Sequence, residues 1–203
     1  MTAGTPLLAL VRHGETDWNR ARRIQGRTEV PLNATGRAQA LGAAELLGAS
    51  APGAWTSVRA SPLGRAIETA DIIAEHLGLA SPDINDGLWE RNFGEAEGML
   101  VAESEARWPG LREVPAAEPL ERVAQRSADA FRELLETSPG SVAVAHGAML
   151  RAGLALLTGT DVPRILNGEI WILRLDGTGH SVTRLGEGTP ERAARLPATA
   201  APR

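Results

Sequence analysis

The feature of this sequence that most constrains its fold is a pair of short apolar runs, "LLALV" at residues 7–11 and "SVAVA" at 141–145. A strand with one face in water alternates apolar and polar residues, whereas a strand buried on both faces is apolar at successive positions. Both runs therefore predict strands at the centre of a sheet that is covered on each side. Such sheets are mostly parallel and occur in α/β domains.

Helical patterns alternate with these runs, and the strongest covers residues 61–78. Its apolar side chains recur at helical spacing and form one face. Ser61 is a candidate N-cap, and Pro62 suits the first turn. Gly78 suits the C-terminal turn. The pattern predicts a well-delimited helix.

A second helix is predicted within residues 32–48, with Asn33 or Thr35 as its cap and Gly48 as its stop. Additional helices are predicted near 100–108, at 120–135 and at 148–159, and additional strands at 54–60, 169–175 and 181–185. This alternation of strands and helices favours a mostly parallel sheet with helices on both faces.

The chain of 203 residues predicts one domain at 7–185, with flexible ends at 1–6 and 186–203, which are rich in Ala, Gly, Pro and Thr. A net charge of −4 does not favour nucleic-acid binding, and the absence of cysteine excludes disulfides and thiolate sites. No apolar stretch approaches the roughly 20 residues that cross a bilayer, so no membrane partner is predicted. No secretory signal is recognisable, and a cytoplasmic location is the expectation.

A His-Gly pair follows each of the two central strands, at residues 13–14 and 146–147. Ligands of parallel α/β sheets bind beyond the carboxyl ends of the strands, so the two histidines are expected to share one crevice. Arg12 precedes the first pair, and Arg65 lies in the first turn of the strongest predicted helix, where N–H groups favour an anion. These positions indicate a phosphate pocket. The alternative for either histidine alone is a hydrogen-bonded structural residue.

Four segments, in order, resemble the successive motifs of the histidine phosphatase superfamily, the phosphoglycerate-mutase-like proteins: "LVRHGETDWN", "ASPLGRAIETA", "LWERNFGEAEG" and "VAVAHGAMLR". The resemblance covers about residues 7–157. It implies a three-layer α/β/α sandwich with a mostly parallel central sheet. It also implies an enzyme that acts on a small-molecule phosphate ester without a metal or other cofactor, and a homodimer is compatible with it.

The resemblance further implies roles for individual residues. His13 matches the nucleophile, which is phosphorylated on nitrogen, and Glu90 matches the proton donor and base. The other matches belong to the phosphate pocket or its substrate side: Arg12, Arg65, His146, Gly147, Thr16, Asn19, Gln25 and Gly26. Because only an unprotonated imidazole attacks, the flanking arginines are expected to lower the pKa of His13. A backbone carbonyl is expected to accept its other N–H and fix the tautomer.

The stretch at residues 99–119 bears on whether the phosphoryl group passes to water or to another hydroxyl. Mutases of this family hold a second acidic group of the substrate with extra basic residues. Here the stretch carries four glutamates beside only Arg107 and Arg112. This composition favours a phosphatase. A phosphoglycerate-mutase-type phosphotransferase is the alternative, and a non-catalytic protein that binds phosphorylated ligands is a second one.

Two positions depart from the pattern of many phosphatase relatives. Ala96 stands where an aromatic residue is common, and residues 117–119 ("AEP") stand where Gly-Glu-Ser is common. Both are expected on the substrate side, so they affect the identity of the substrate rather than the chemistry. The small side chain of Ala96 is expected to leave room for a bulkier ester.

Overall fold

Six strands form one mixed sheet in the computed structural model, which describes residues 7–51, 53–177 and 179–186. The strands are β1 (Leu7–Arg12), β2 (Ser57–Ala60), β3 (Asp83–Ile84), β4 (Ser141–Ala145), β5 (Ile170–Asp176) and β6 (Gly179–Arg184). Their order is β3-β2-β4-β1-β5-β6. The pairs β3-β2, β2-β4 and β4-β1 are parallel, and β1-β5 and β5-β6 are antiparallel. The predicted mostly parallel α/β sheet is confirmed.

The helices are α1 (Asp17–Arg20), α2 (Ala34–Ser50), α3 (Gly64–Leu77), α4 (Val101–Arg107), α5 (Leu120–Thr137) and α6 (Gly147–Thr158). Short 3₁₀ turns cover Asp86–Leu88, Gly94–Ala96 and Pro109–Leu111. Within the described ranges, no helix has both the length and the apolar character needed to span a membrane. The predicted flexible ends lie outside the described residues, except for Gly186.

Alternate side chains of β1 point to opposite faces of the sheet and create two separate cores. Leu8 and Leu10 belong to a cluster that contains side chains of α5 and α6. Ala9 and Val11 belong to a second cluster, with side chains of α2 and α3. All four are inaccessible to solvent. The continuous apolar run therefore exists because the strand is covered on both sides, as predicted.

The ends of α2 partly match the prediction. Asn33 is the N-cap, and its side chain accepts a hydrogen bond from the Gly36 N–H. The prediction that Gly48 stops the helix is wrong, because α2 continues to Ser50. A glycine ends a helix when it adopts a left-handed conformation, and Gly48 is not among the residues of positive φ.

The predicted C-terminal end of α3 is confirmed, since Gly78 adopts the left-handed conformation with φ 66°. The prediction that Ser61 caps its N-terminus is wrong. The helix begins at Gly64, and its N-cap position is Leu63, which makes no side-chain capping bond. The Glu29 carboxylate instead accepts from the Gly64 N–H. Pro62 consequently precedes the helix. The Ser61 hydroxyl is instead hydrogen-bonded to His146. Because the His146 ring is buried, leaving its nitrogen without a partner would cost more than leaving a helix N-terminus without this cap.

A third, smaller cluster holds the irregular segment after β3 against the rest of the domain. Ala96 is fully buried in this cluster, together with Ile24 and Val114. The expectation that Ala96 lies on the substrate side is therefore wrong. Its side chain points from a 3₁₀ turn into an apolar interior, so its small size reflects local packing.

Two glycines inside helices predict opposite effects of the same substitution. In Gly153→Ala, the new Cβ on α6 lies 2.6 Å from both Phe131 and Ser127, so we expect a loss of about 1–3 kcal/mol of stability. In Gly42→Ala on α2, no atom lies within 4 Å, and we expect a gain of roughly 0.5–1 kcal/mol. Urea unfolding of both variants measures the difference. Stabilisation by both substitutions would show that α5 and α6 are not in close contact.

Candidate active site

The pairing of β1 with β4 brings the two histidines together. Arg12 is in register with Ala145, and the His13 N–H donates to the Ala145 carbonyl at 3.0 Å. The chain then leaves both strands at the same level. The imidazole rings of His13 and His146 lie with their centroids 5.1 Å apart, and both side chains are buried. The expected shared crevice is present.

Gly14 permits α2 to approach the loop that follows His13. A Cβ on Gly14 would lie 2.2 Å from the carbonyl oxygen of Gly36, which is a backbone atom that cannot rotate away. The Gly14 N–H donates to the Thr69 hydroxyl at 3.1 Å. This glycine therefore sets the position of the backbone next to His13.

The hydrogen bonds of His13 define its tautomer. Its Nδ1 lies 2.7 Å from the carbonyl oxygen of Gly14, and Nε of Arg65 donates to its Nε2 at 3.3 Å. Because a guanidinium group only donates, Nε2 carries a lone pair and Nδ1 carries the proton. Burial lowers the pKa of His13 well below its ordinary value, and the charges of Arg65 and Arg12 lower it further. The two arginines act as expected, and burial is the larger cause.

Two guanidinium groups lie beside the histidines and bind mainly backbone carbonyls. Arg65 is 1% exposed and donates to the carbonyls of Thr28 at 2.8 Å and Gly26 at 2.7 Å. Arg12 donates to the Ile165 carbonyl at 2.8 Å. Burial lowers the pKa of Arg12 to about 10, and the Glu90 carboxylate opposes this effect. Positive charge is thus concentrated in a dry site.

His146 is held at one nitrogen and free at the other. Its Nε2 lies 2.7 Å from the Ser61 hydroxyl, and its buried Nδ1 has no partner among the described residues. Burial, followed by the charge of Arg65, lowers its pKa well below the ordinary value. Nε of Arg12 and Oε1 of Gln25 are buried without a partner as well. Of these three atoms, Nε of Arg12 is a donor whatever the tautomer of His146, and a ligand oxygen would satisfy it.

Glu90 lies at the edge of the same site, at the N-terminus of α6. Its carboxylate accepts hydrogen bonds from the N–H groups of Arg91 at 2.8 Å, Met149 at 3.0 Å and Ala148 at 3.2 Å. Its side chain is buried, and its charge is the largest opposing influence on both Arg12 and Arg65. Glu90 is therefore not a solvated loop residue.

Three of the remaining predicted residues also border this site. Asn19 lies beside the His13 backbone, because Asn167 donates both to the His13 carbonyl at 2.9 Å and to the Asn19 side chain at 3.1 Å. The Gly26 carbonyl binds Arg65, and a Cβ on Gly147 would lie 3.3 Å from Nε of Arg12.

Thr16 is the exception. Its hydroxyl is buried in the capping box of α1, where it bonds to Asn19. Whether it contacts phosphate stays a prediction.

The structure adds a carboxylate that sequence reasoning missed. Glu97 accepts hydrogen bonds from the N–H groups of Arg27, Thr28 and Phe93 and from the Thr28 hydroxyl. It thereby fixes the turn whose carbonyls bind Arg65. Asn167 and Ser61 were missed as site residues for the same reason: their partners are remote in sequence, and no local pattern reveals them.

Residues 117–119 lie beside the segment of Glu90. The Glu118 N–H donates to the Asn92 carbonyl at 2.8 Å. The Glu118 carboxylate binds Arg126 and lies 3.5 Å from Arg27. Arginines from outside 99–119 therefore also reach this segment. Whether it borders the substrate stays a prediction.

A neutral imidazole, two buried guanidinium groups and a carboxylate at the edge are groups that suit the binding of a tetrahedral oxyanion. No group of three or more His, Asp or Glu side chains in the described segments could hold a metal ion. Fold and site together define an α/β protein that handles phosphate groups.

The chain belongs to the histidine phosphatase superfamily (branch 1), whose sequence model matches residues 8–189. It is 39% identical over 156 residues to "Uncharacterized phosphatase PhoE" of Bacillus subtilis, covering 76% of this chain and 78% of the relative. It is 32% identical to the "Metal-independent phosphoserine phosphatase" of Arabidopsis thaliana, with coverages of 83% and 76%.

Solved structures give the same assignment. The mycobacterial glucosyl-3-phosphoglycerate phosphatase in complex with VO3 superposes with a TM-score of 0.73 at 29% identity, covering 88% of this chain and 96% of that one. Phosphoglycerate mutase names also occur among the relatives. The protein is therefore an enzyme of this family, and phosphatase activity is favoured.

The lowered pKa values of the two histidines predict that stability falls in mild acid. As pH falls through about 6.5, the unfolded chain binds protons at His13 and His146, whereas the folded protein keeps both neutral. Unfolding free energy should therefore decrease below pH 7 by up to about 1.4 kcal/mol per pH unit for each histidine. Urea unfolding between pH 5.5 and 7.5 measures the slope. The double variant His13→Gln, His146→Gln should make the slope of unfolding free energy against pH shallower. The control His76→Gln, which removes an exposed histidine, should not. An equal slope in the original protein, the double variant and the control contradicts the prediction.

Proposed function

We propose that this enzyme hydrolyses small-molecule phosphomonoesters through a phosphohistidine intermediate on His13. One observation carries the proposal: His13, His146, Arg12 and Arg65 meet at the ends of two adjacent strands, with Glu90 at the edge. These side chains come from three separate parts of the sequence, and their combination suits one phosphoryl group. The relative named for phosphoserine and the structure named for glucosyl-3-phosphoglycerate support a small-molecule substrate.

His13 is suited to the nucleophilic role. With the proton on Nδ1 held by the Gly14 carbonyl, Nε2 carries the lone pair, which attacks once Nε of Arg65 donates to a phosphate oxygen in place of Nε2. In the first step Nε2 bonds to phosphorus while the bond from phosphorus to the ester oxygen breaks. The low pKa of His13 keeps this nitrogen unprotonated at neutral pH.

Arg12, Arg65 and His146 are suited to stabilising the transition state. Phosphoryl transfer spreads negative charge over the equatorial oxygens, and fixed cations reduce the cost of this charge. At an effective dielectric near 20, one pair of unit charges at 4 Å contributes about 4 kcal/mol before desolvation is counted. The two buried guanidinium groups therefore support a reaction that does not depend on a metal ion.

Glu90 is suited to move the proton in both steps. As a carboxylic acid it would protonate the leaving alkoxide, and as a carboxylate it would then take a proton from water. The water oxygen bonds to phosphorus as the bond to Nε2 breaks, which releases inorganic phosphate. The N–H groups of Ala148 and Met149 hold this carboxyl group beside His146, the residue before α6.

A phosphoglycerate-mutase-type transfer is the second candidate, because relatives named for that activity are 32–37% identical. The same phosphohistidine would then pass its phosphoryl group to a hydroxyl instead of water. Release of inorganic phosphate from 3-phosphoglycerate, with and without its bisphosphate, distinguishes the two. A purely ligand-binding protein has little support, since all the residues needed for catalysis are present.

The substitution His13→Ala tests the nucleophile. We expect at least about a thousandfold loss of p-nitrophenyl phosphate hydrolysis, because no other group can accept the phosphoryl group. Acid-labile phosphoenzyme should form in the original protein and not in the variant. Hydrolysis should also survive excess chelator. His76→Ala is the control, and a strict requirement for added divalent metal would contradict the proposal.

The substitution Glu90→Gln tests the proton donor. Glutamine can still accept hydrogen bonds from α6, but it cannot release a proton. We expect turnover of an alkyl phosphate to fall by roughly 10²–10⁴-fold. The formation of phosphoenzyme from p-nitrophenyl phosphate should fall much less, because that leaving group needs little protonation. Glu95→Gln, an exposed glutamate of the same segment, is the control. Equal losses for both esters would remove Glu90 from this role.

A further inference from the structure

The peptide group that joins His13 to Gly14 is hydrogen-bonded at both of its polar ends. Its carbonyl, from His13, accepts from the Asn167 amide at 2.9 Å. Its N–H, from Gly14, donates to the Thr69 hydroxyl at 3.1 Å, and this fully buried hydroxyl donates in turn to the Arg65 carbonyl at 2.8 Å. These bonds determine where the backbone beside the histidine lies.

The next peptide group, from Gly14 to Glu15, is the one that contacts the imidazole. The Gly14 carbonyl accepts from Nδ1 of His13 at 2.7 Å. At the other end of the same peptide group, the Glu15 N–H donates to Oε1 of Gln39 at 2.8 Å. Because a backbone N–H only donates, the oxygen of the Gln39 amide must face it. Gln39 therefore binds the same peptide group as His13, from the opposite end.

A hydrogen bond at one end of a peptide group strengthens the bond at its other end. An acceptor on the N–H shifts electron density towards the carbonyl oxygen, and such cooperative gains are about 10–30% per bond. A stronger acceptor beside Nδ1 of His13 keeps the proton on that nitrogen and the lone pair on Nε2. One peptide group and one ring thus connect the Gln39 amide to the reactive nitrogen.

Gln39 lies on α2, and the loop before β5 packs against it. A Cβ on Gly168 would lie 3.1 Å from the Cβ of Gln39, which leaves little room for a larger residue in this loop. The Gly168 N–H donates to the Arg12 carbonyl at 3.0 Å and so ties the loop to the end of β1. Gln39 also borders an open pocket of about 330 Å³. A change of its amide group can therefore be accommodated without displacing the cores.

We propose that Gln39 is a positioning residue for the nucleophile: through the Gly14–Glu15 peptide group it fixes the tautomer of His13 and maintains the reactivity of Nε2. The inference rests on the proposed function, because it assigns a role in the formation of the phosphohistidine. Gln39 acts on the imidazole and not on the two buried arginines that bind phosphate. It should therefore affect the rate of phosphoryl transfer much more than the affinity for phosphate.

Two substitutions of Gln39 test the role of its amide oxygen in the full-length enzyme. Gln39→Met removes the acceptor and keeps the length of the side chain. We expect the rate constant for phosphoenzyme formation from p-nitrophenyl phosphate to fall by about tenfold, and the inhibition constant of inorganic phosphate to change by less than about twofold. Gln39→Glu restores an acceptor of nearly the same shape, so the rate at saturating substrate should stay within about twofold of the original.

Single-turnover kinetics measures these rates, and Gln125→Met is the matched control. Gln125 is an exposed glutamine of α5 whose amide group donates to the Asp129 carboxylate. Its substitution should change neither constant. The inference is overturned by an unchanged rate in Gln39→Met, by equal losses in Gln39→Met and Gln39→Glu, or by an equal loss in the control. A phosphate inhibition constant that rises as much as the rate falls also overturns it.

The tautomer of His13 gives a readout that does not depend on turnover. In nitrogen NMR spectra of histidine-labelled protein, assigned with His13→Gln, we expect the proton on Nδ1 in the original protein and in Gln39→Glu. We expect a mixture of the two tautomers in Gln39→Met. A proton on Nε2 in the original protein overturns the inference even where a variant fails to fold.

Phosphoenzyme formation separates the failure of this inference from that of the proposed function. Phosphoenzyme that forms on His13 at the same rate in the original protein and in Gln39→Met leaves the hydrolase intact and removes the role of Gln39. Absence of phosphoenzyme in the original protein overturns both.

Discussion

The burial of two guanidinium groups beside an uncharged imidazole is the constraint on which the rest of this structure depends. A buried cation without compensation costs several kcal/mol. Arg65 hydrogen-bonds to the carbonyls of Gly26 and Thr28, and the charges of Glu90, Glu29 and Glu97 act on it without a direct ion pair among the described residues. No bound carboxylate therefore occupies its guanidinium group. Close ion pairs with carboxylates would make the protein more stable alone and the site less able to bind an oxyanion.

This requirement explains why the loops around the site are ordered and irregular. The turn after Gln25 must present two carbonyls to one guanidinium group, and Gly26 adopts φ 55° to do so. A Cβ on Gly26 would lie 1.9 Å from the Glu97 carboxylate, which closes over the turn. The third hydrophobic cluster then anchors the segment that carries Glu97. A left-handed glycine and a half-buried carboxylate are consequences of holding Arg65 in place.

Sequence patterns could predict those elements of the fold in which a single effect, such as burial on both faces or a left-handed glycine, determines the local structure. The runs in β1 and β4 are apolar throughout because both faces are buried, and the end of α3 is visible because Gly78 is left-handed. The prediction that Ser61 caps α3 was wrong because a serine before a helix can either cap the helix or hydrogen-bond to a histidine. The choice depends on the burial of His146, which lies 85 positions away.

The convergence of the predicted site residues could be inferred from the sheet, because parallel strands end at the same edge. The residues that surround these side chains could not be inferred in this way. Counting arginines within 99–119 missed Arg27 and Arg122, which line the same pocket as Glu118 from before and after that stretch. Ala96 lies within the family motif, yet its side chain packs in an apolar cluster. The motifs thus predict which polar side chains meet more reliably than they predict the residues that surround them.

This difference follows from where the two regions are built. The phosphate site stands on central strand ends and helix N-termini, whose geometry the cores on both faces of the sheet fix. The adjoining pocket is formed by a loop residue, an irregular segment and the first turn of α5, held together by the ion pairs of Glu118. The Glu118–Arg126 pair is part-buried, with 10% and 22% of the two side chains exposed, and one such pair holds this wall. Two hydrophobic cores, in contrast, hold the strand ends that position the two histidines, so the two regions depend on different interactions.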